Sequence, residues 1–207
     1  MNENWIAVRV WGDFALFTRP ENKVERVSYE IITPSAARGV LEAIFWHPQF
    51  TWGIKRIHVL KTPQTIGILR NEVNSKMSPS RTDPYFADDD RSQRYSVCLR
   101  DVDYVIYADV AMKPGESDHP NKYREQFQRR VERGQCFHRP ALGCREFAAE
   151  FEPASGHEKP VDWDADLGLV LWDLEYSSKP PFWPRFFEAK IEKGVMRVPS
   201  EPIGAVR

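Results

Sequence analysis

Cysteine is scarce in this chain, and the few cysteines follow no pairing pattern. The 207 residues include three of them, namely Cys98, Cys136 and Cys144. An odd count without a CxxC spacing argues against a disulfide framework, and a structural zinc site would need a fourth ligand and better spacing. We therefore predict neither a disulfide scaffold, nor a metal centre, nor a cofactor.

Long hydrophobic runs are also missing. No apolar stretch approaches the roughly 18 residues that a membrane-spanning helix needs. The first residues, MNENWIAVRVW, lack the basic and then apolar layout of a signal peptide. Because the cysteines also suit a reducing compartment, these absences predict a cytoplasmic protein without a membrane partner.

Motifs of two large enzyme classes are absent as well. The chain has no glycine-rich phosphate loop of the nucleotide-hydrolase type and no Ser-His-Asp arrangement, and it contains no repeat or low-complexity tract. It does contain 42% hydrophobic and 13% aromatic residues, which is typical of a globular protein. Its length suits one large domain, or one domain with a small appendage.

The net charge of −1 conceals an uneven distribution. Residues 55–82 carry six basic side chains and one acidic one, and residues 121–147 carry seven and three. Residues 148–176 carry eight acidic side chains and one basic one. The two basic blocks either line one phosphate-binding groove or are ordinary solvated faces, and the charges alone leave both interpretations open.

The stretch Thr33–Pro48 has the features of a helix with an informative end. Thr33 is a plausible N-cap, and Pro34 suits the first helical position. Apolar residues recur on one face at helical spacing: Val40, Leu41, Ile44 and Phe45. The stretch ends on Phe45-Trp46-His47 before Pro48. Either this end delivers a titratable histidine to a site, or it is the solvent-exposed end of a core helix.

A second helix is predicted over Pro120–Arg133. Asp118 or Asn121 is expected to cap its start, and Gly134 suits the position after the last turn. An apolar stripe recurs at every fourth position and is expected to be buried: Tyr123, Phe127 and Val131.

Alternating and β-branched segments predict the strands: Trp5–Trp11, Phe14–Thr18, Phe50–Lys61, Gln64–Val73, Tyr95–Leu99, Val102–Met112, Arg145–Phe151, Leu167–Tyr176, Arg185–Ile191 and Val195–Val198. We expect Phe50–Lys61 and Gln64–Val73 to form a hairpin, and Asn74–Arg94 to be a long loop. The order of elements predicts an α+β protein with a ferredoxin-like (RRM-like) βαββαβ domain in residues 1–152. Residues 153–207 are expected to form a C-terminal β-sheet extension.

Long ordered strings between Trp5 and Val198 carry a family resemblance: RVWGDFALFTRPENKVERVSYE, TPSAARGVLEAIFWHP, RIHVLK, RNEV, LRDVDYVIYADV, NKYREQFQRRVERGQCFHRPALGCREF, DLGLVLWDLEY and FFEAKIEKGV. Together they resemble the subtype I-C variant of the Cas-five CRISPR-associated proteins, in the RAMP superfamily. The resemblance implies a metal-independent endoribonuclease that cleaves the precursor CRISPR RNA at the repeat hairpin. It also implies that the product stays bound by its 5′ handle in a Cascade complex.

The resemblance also indicates where a catalytic site would lie. In this family, the catalytic site contains a tyrosine from the end of the first helix and a Lys-His pair from the start of the second helix. The matching positions here are Phe45, Lys122 and Tyr123, so the lysine is retained and the other two residues differ. His47 could supply the missing proton transfer, and Tyr123 could supply the phenol, although a tyrosine with a pKa near about 10 is a poor base. A buried, structural Tyr123 is the alternative.

Further residues are predicted to bind RNA rather than to react. Trp46 is expected to stack on a base, and four arginines are expected to hold phosphates: Arg38, Arg129, Arg130 and Arg133. The expected partners are the precursor crRNA repeat hairpin and other type I-C Cascade subunits, and duplex DNA is a further candidate. The substitutions at Phe45 and Tyr123 leave open a second function, a non-catalytic subunit that only caps the 5′ handle.

Overall fold

One long strand lies at the centre of the architecture. The computed structural model of the protein describes residues 5–22, 24–76, 78–80, 83–84, 86–175 and 183–203. These ranges contain two α-helices, α1 (Pro34–Ile44) and α2 (Pro120–Glu132), and a short 3₁₀ helix at Ala87–Asp90. They also contain the strands β1 (Ile6–Ala15), β2 (Phe50–Val59), β3 (Gln64–Val73), β4 (Arg91–Met112), β5 (Glu150–Pro153), β6 (Ala165–Glu175), β7 (Trp183–Glu192) and β8 (Val195–Arg197).

The central strand β4 is long enough to pair with three others. Its 22 residues pair antiparallel with β3 along the first half and with β1 and β2 along the second. The strand order is β5-β1-β4-β2-β8-β7-β6, and β3 lies outside this path. The described residues thus form a mixed α/β fold with a large antiparallel sheet and few helices.

The expected hairpin of Phe50–Lys61 with Gln64–Val73 is wrong. β3 pairs with β4 over its whole length, from Gln64 opposite Arg100 to Val73 opposite Arg91. The turn residues between the two predicted strands gave a local signal for a hairpin, but strand pairing is decided by the wider sheet.

Strand breaks were predicted where the strands are in fact continuous. Tyr95–Leu99 and Val102–Met112 both belong to β4, which starts at Arg91 and therefore shortens the loop predicted over Asn74–Arg94. Asp101 adopts a φ of 52° within the strand, but hydrogen bonding with the neighbouring strands continues on both sides of it.

Gly12 lies inside β1, although it falls in the gap between the predicted strands Trp5–Trp11 and Phe14–Thr18. A Cβ at this position would lie 2.6 Å from Leu142 Cδ1 and 2.8 Å from the carbonyl oxygen of Ala148. Glycine is therefore required by the close approach of another segment, and not by a turn.

The strand predicted at Arg145–Phe151 is mostly a turn. Only its last two residues join β5, which pairs with β1. The chain before β5 folds back on the residue that follows β1. There, the N–H of Leu16 donates to the Leu142 carbonyl at 3.0 Å. Gly143 has a φ of 89° and approaches the Leu16 carbonyl, a geometry that a Cβ would obstruct.

The C-terminal strands continue the same sheet. β6, β7 and β8 agree with the predicted strands to within a few residues, and Tyr176, the predicted end of one of them, lies outside the described residues. They join the rest of the sheet because β8 pairs with β2, with Ile57 opposite Met196.

The main core lies between the sheet and the two helices. Trp52 of β2 contacts Phe127 of α2 edge to face, with 4.8 Å between ring centroids. The predicted stripe on α2 is buried, as are Val40, Leu41 and Ile44 on α1. None of the described helices has the length and hydrophobicity needed to cross a membrane.

Candidate active site

The end of α1 positions the first part of the site. The helix starts as predicted, with Thr33 Oγ1 accepting from Ala36 N–H at 3.2 Å and Pro34 in the first turn. It ends at Ile44, and Phe45 is already extended, with a φ of −153°. Phe45 is buried, whereas Trp46 is 56% exposed. His47 is partly exposed.

The start of α2 positions the second part. His119 is the N-cap, and its Nδ1 accepts from Asn121 N–H at 3.3 Å, so the predicted caps Asp118 and Asn121 are both wrong. Asp118 turns instead toward the helix. Its Oδ2 accepts from Lys122 Nζ at 3.0 Å and from the Tyr123 hydroxyl at 2.6 Å.

Tyr123 is a buried residue at the centre of this cluster. It is 1% exposed, and its hydroxyl contacts both Asp118 and Gln49 Oε1. Burial, followed by the hydrogen bond to Asp118, raises the pKa of Tyr123 to about 12. The phenol therefore stays protonated at neutral pH and does not act as a base there.

Asp118 connects the two side chains of α2 electrostatically. The hydrogen bond from Tyr123, followed by that from Lys122, lowers the pKa of Asp118 below its ordinary value. The carboxylate is therefore charged at neutral pH. It holds the Lys122 ammonium 5.4 Å from the Tyr123 ring centroid. The lysine side chain nevertheless remains 60% exposed and accessible to a ligand.

His47 reaches the same cluster from the segment that follows α1. Its ring centroid lies 5.3 Å from that of Tyr123. His47 Nδ1 is buried, and no hydrogen-bond partner for it is found in the described part of the chain. The structure thus brings His47 together with the adjacent residues Lys122 and Tyr123, which follow it in the sequence by 75 and 76 positions.

Replacing Tyr123 by phenylalanine tests the electrostatic arrangement. We expect the pKa of Asp118 to rise toward its ordinary value, because the largest cause of its lowering is removed. A lowered carboxyl pKa stabilises the fold above the unfolded-state value and ceases to do so as pH falls through the folded-state value. The variant should therefore lose stability at neutral pH but not in strong acid. Carboxyl NMR titration measures the pKa, and an unchanged value would contradict the arrangement.

The predicted RNA-binding arginines have different surroundings. Arg38 donates to Glu42 at 2.8 Å and to Asp173 at 2.7 Å. Arg130 donates to the Ile44 carbonyl at 3.1 Å and lies over the Phe45 ring. Both guanidinium groups are thus engaged within the protein. Two other arginines are exposed and form no ion pair with any described residue: Arg129 and Arg133.

Two residues of the cluster were not predicted to belong to it. Asp118 was interpreted as a helix cap, although its position four residues before Lys122 also suits an ion pair. Gln49 gave no signal, because its contact with Tyr123 depends on how the chain after α1 packs against α2.

Comparisons with known proteins agree over nearly the whole chain. The family described as CRISPR-associated protein (Cas_Cas5) matches residues 5–199. A protein of Thermus thermophilus named CRISPR pre-crRNA endoribonuclease Cas5d is 43% identical, over 95% of this chain and 92% of its own. A protein of Mannheimia succiniciproducens with the same name is 41% identical, over 95% of both chains.

Solved structures support the fold. A crystal structure of a CRISPR-associated protein has a TM-score of 0.73 at 24% identity and covers 97% of this chain and 95% of its own. A functionally uncharacterized protein from Streptococcus mutans has a TM-score of 0.72 at 22% identity, over 97% and 96%. With the family match and the two relatives, the conclusion is that this chain belongs to the CRISPR-associated Cas5 family, in its subtype I-C (Cas5d) branch.

Proposed function

We propose that the protein is a metal-independent endoribonuclease that processes precursor crRNA. It cleaves at the repeat hairpin and retains the 5′ handle as a subunit of a type I-C Cascade complex. The observation that carries the proposal is the convergence of His47 and Lys122 on one buried tyrosine. It occurs in a chain whose relatives at 43% and 41% identity are named pre-crRNA endoribonucleases.

The proposed reaction needs a proton acceptor, a proton donor and a cation. The RNA 2′-hydroxyl attacks the adjacent phosphorus as its proton leaves, and the bond to the 5′-oxygen of the next nucleotide breaks as that oxygen gains a proton. The products are a 2′,3′-cyclic phosphate and a 5′-hydroxyl. His47 accepts the proton of the 2′-hydroxyl, and a water molecule donates the proton that the 5′-oxygen gains. Lys122 stabilises the negative charge that develops on the phosphorane oxygens.

Tyr123 and Asp118 act through their neighbours in this proposal. The Tyr123 hydroxyl is enclosed by Asp118 and Gln49, so it orients groups and does not itself exchange the proton. Asp118 holds the flexible lysine side chain near the ring, which lowers the entropy lost when Lys122 meets a phosphate. The proposed assignment thus separates one proton-transfer residue and one cation from two positioning residues.

The RNA is proposed to extend from this cluster along α2. Arg129 and Arg133 hold its phosphates, because both are exposed, and Trp46 stacks on a base. Arg38 and Arg130 already donate to acceptors within the protein, so we assign them a smaller share of the phosphate contacts. Duplex DNA is a further candidate ligand of the same basic surface.

We also propose a ferredoxin-like unit in the N-terminal part. The order β5-β1-β4-β2, with α1 after β1 and α2 after β4, supports that arrangement, and β3 is then an addition. The boundary with the C-terminal extension is proposed near residue 153, where β5 ends. The described cysteines are unpaired, which suits a cytoplasmic location.

A non-catalytic RNA-binding subunit is the second candidate. Phe45 cannot exchange a proton, and the raised pKa of Tyr123 removes the phenolate as a base at neutral pH. Such a protein would bind the 5′ handle through the same arginines without cutting the RNA.

Incubation of the purified protein with its own repeat RNA in excess EDTA separates the two candidates. We expect a single cut, whose upstream product ends in a 2′,3′-cyclic phosphate, because the proposed chemistry uses side chains only. Mass spectrometry of the products identifies the end group, and the same RNA with 2′-deoxyribose at the cut nucleotide is the control. Tight binding without cutting would instead favour the non-catalytic subunit.

A further inference from the structure

Phe137 is a large apolar side chain that the fold leaves in solvent. It is 82% exposed, and no other large hydrophobic side chain in the described ranges is more exposed. It belongs to neither α2 nor β5, and none of the roles proposed so far uses it. Its ring lies edge to face with that of His138, with 5.8 Å between the ring centroids, and most of its surface is available to a ligand.

The backbone that carries Phe137 is held firmly. Its N–H donates to the Ala43 carbonyl at 2.9 Å, and the N–H of His138 donates to the same oxygen at 3.2 Å. Gly134, at a φ of 61°, turns the chain out of α2 toward this contact. Because a carbonyl in the last turn of a helix has no intrahelical partner, the two donors fasten this segment to α1.

A second exposed aromatic residue lies just after the end of α1. Trp46 follows Ala43 by three residues, so its backbone lies within about 11 Å of the carbonyl that holds Phe137. Trp46 is 56% exposed and immediately precedes His47. The backbones of Trp46 and Phe137 are therefore both close to the end of α1, which the proposed proton-transfer residue follows.

The surroundings of Phe137 are polar and basic. The residues next to it are mostly exposed and polar or charged: Glu132, Arg133, Gln135, His138 and Arg139. A protein-docking surface is depleted of charge at its centre. Arg139 forms an ion pair with Glu150 at 2.7 Å, whereas Arg133 forms no ion pair with a described residue. An exposed aromatic ring near an unpaired arginine in the chain suits a nucleic-acid strand, in which a base stacks on the ring and a phosphate meets Arg133.

We propose that Phe137 is a base-stacking residue for an unpaired RNA nucleotide next to the repeat hairpin. With Trp46 it forms a two-aromatic platform, defined as these two side chains at the end of α1. The platform holds the strand that leads to the cleaved bond, and it favours substrates whose flanking nucleotide is single-stranded. This inference rests on the proposed function, because it assigns the ligand of the same site.

Repeat RNAs carrying 2-aminopurine at single unpaired positions beside the hairpin provide the test. For the wild type we expect the fluorescence at one position to be quenched on binding, because stacking quenches this base. Phe137→Ala should abolish the quenching and weaken Kd by about 5- to 150-fold. Phe137→Trp should restore both. Phe86→Ala is the matched control, because Phe86 is also exposed, at 74%, and directly precedes the 3₁₀ helix at Ala87–Asp90 instead of following α2.

The outcomes separate this inference from the proposed function. Unchanged quenching and Kd in Phe137→Ala would overturn the role of Phe137, even if the RNA is still cut. Loss of assembly with other subunits at unchanged RNA binding would also overturn it, because the ring would then dock a protein. Binding is measured without cleavage, so a wild-type protein that fails to cut RNA leaves this test intact. Circular dichroism of each variant verifies the fold.

Discussion

Lys122→Ala is expected to reduce the rate of repeat-RNA cleavage by about 100- to 1000-fold, the usual loss when one group that stabilises transition-state charge is removed. The lysine side chain is 60% exposed, and Asp118 holds its ammonium near the cluster at 3.0 Å. The ammonium contributes most when charge builds up on the phosphorane. Single-turnover cleavage under saturating protein measures the rate without the effect on binding, and we expect Kd to change much less than the rate.

Two variants control for simpler explanations of that result. Lys113→Ala removes the same charge from the loop before α2, and we expect it to leave the single-turnover rate near that of the wild type. Lys122→Arg keeps the charge but changes its shape, so it should recover part of the lost rate. If Lys122→Ala and Lys113→Ala slow cleavage equally, Lys122 acts only through the net charge.

His47→Ala is expected to lower the cleavage rate by about 100- to 10,000-fold, the range for loss of a general acid or base. The ring lies 5.3 Å from Tyr123, and its Nδ1 is enclosed. Because general acid–base catalysis depends on the protonation state of the catalytic group, the wild-type rate should depend on pH, and the variant should lose this dependence. Single-turnover rates from pH 5 to 9 measure both effects.

The control for His47 is His157→Ala, because His157 is exposed on the loop after β5 and lies near Arg9 and Lys61 instead of the Tyr123 cluster. It should keep the wild-type rate and pH profile.

Tyr123→Phe should slow cleavage by less than about 100-fold, as expected for a residue that positions its neighbours. If His47→Ala and Tyr123→Phe both cleave at the wild-type rate, neither residue replaces the tyrosine and histidine of the family.

Local signals predicted the helices well. Thr33 and Pro34 mark the start of α1 because capping depends on neighbouring residues, and the structure confirms both. The burial of Tyr123 and Phe127 was predicted from spacing of four residues and is confirmed. The caps predicted at the start of α2 were wrong. Asp118, His119 and Asn121 are all close enough in the chain to cap the helix, but Asp118 instead accepts from Lys122 and Tyr123, and His119 caps it.

Strand pairing was predicted less well. The bounds of β3 are those expected, yet its partner is β4 and not β2. β4 continues through Asp101 and β1 continues through Gly12, although residues of these types often end strands. The sequence could not predict this, because hydrogen bonds from adjacent strands extend a strand through such positions.

The sequence by itself determined the family, both helices, most strands and the residues Lys122, Tyr123 and His47 as candidates. These depend on short-range spacing and on long matching strings. The tertiary structure decided which of the candidates meet and in what state. Packing of the segment after α1 against α2 encloses the Tyr123 hydroxyl with Asp118 and Gln49, and burial raises the pKa of Tyr123 to about 12. Burial and hydrogen bonding join residues far apart in the chain, so they set the chemical state of a side chain in a way that local spacing does not encode.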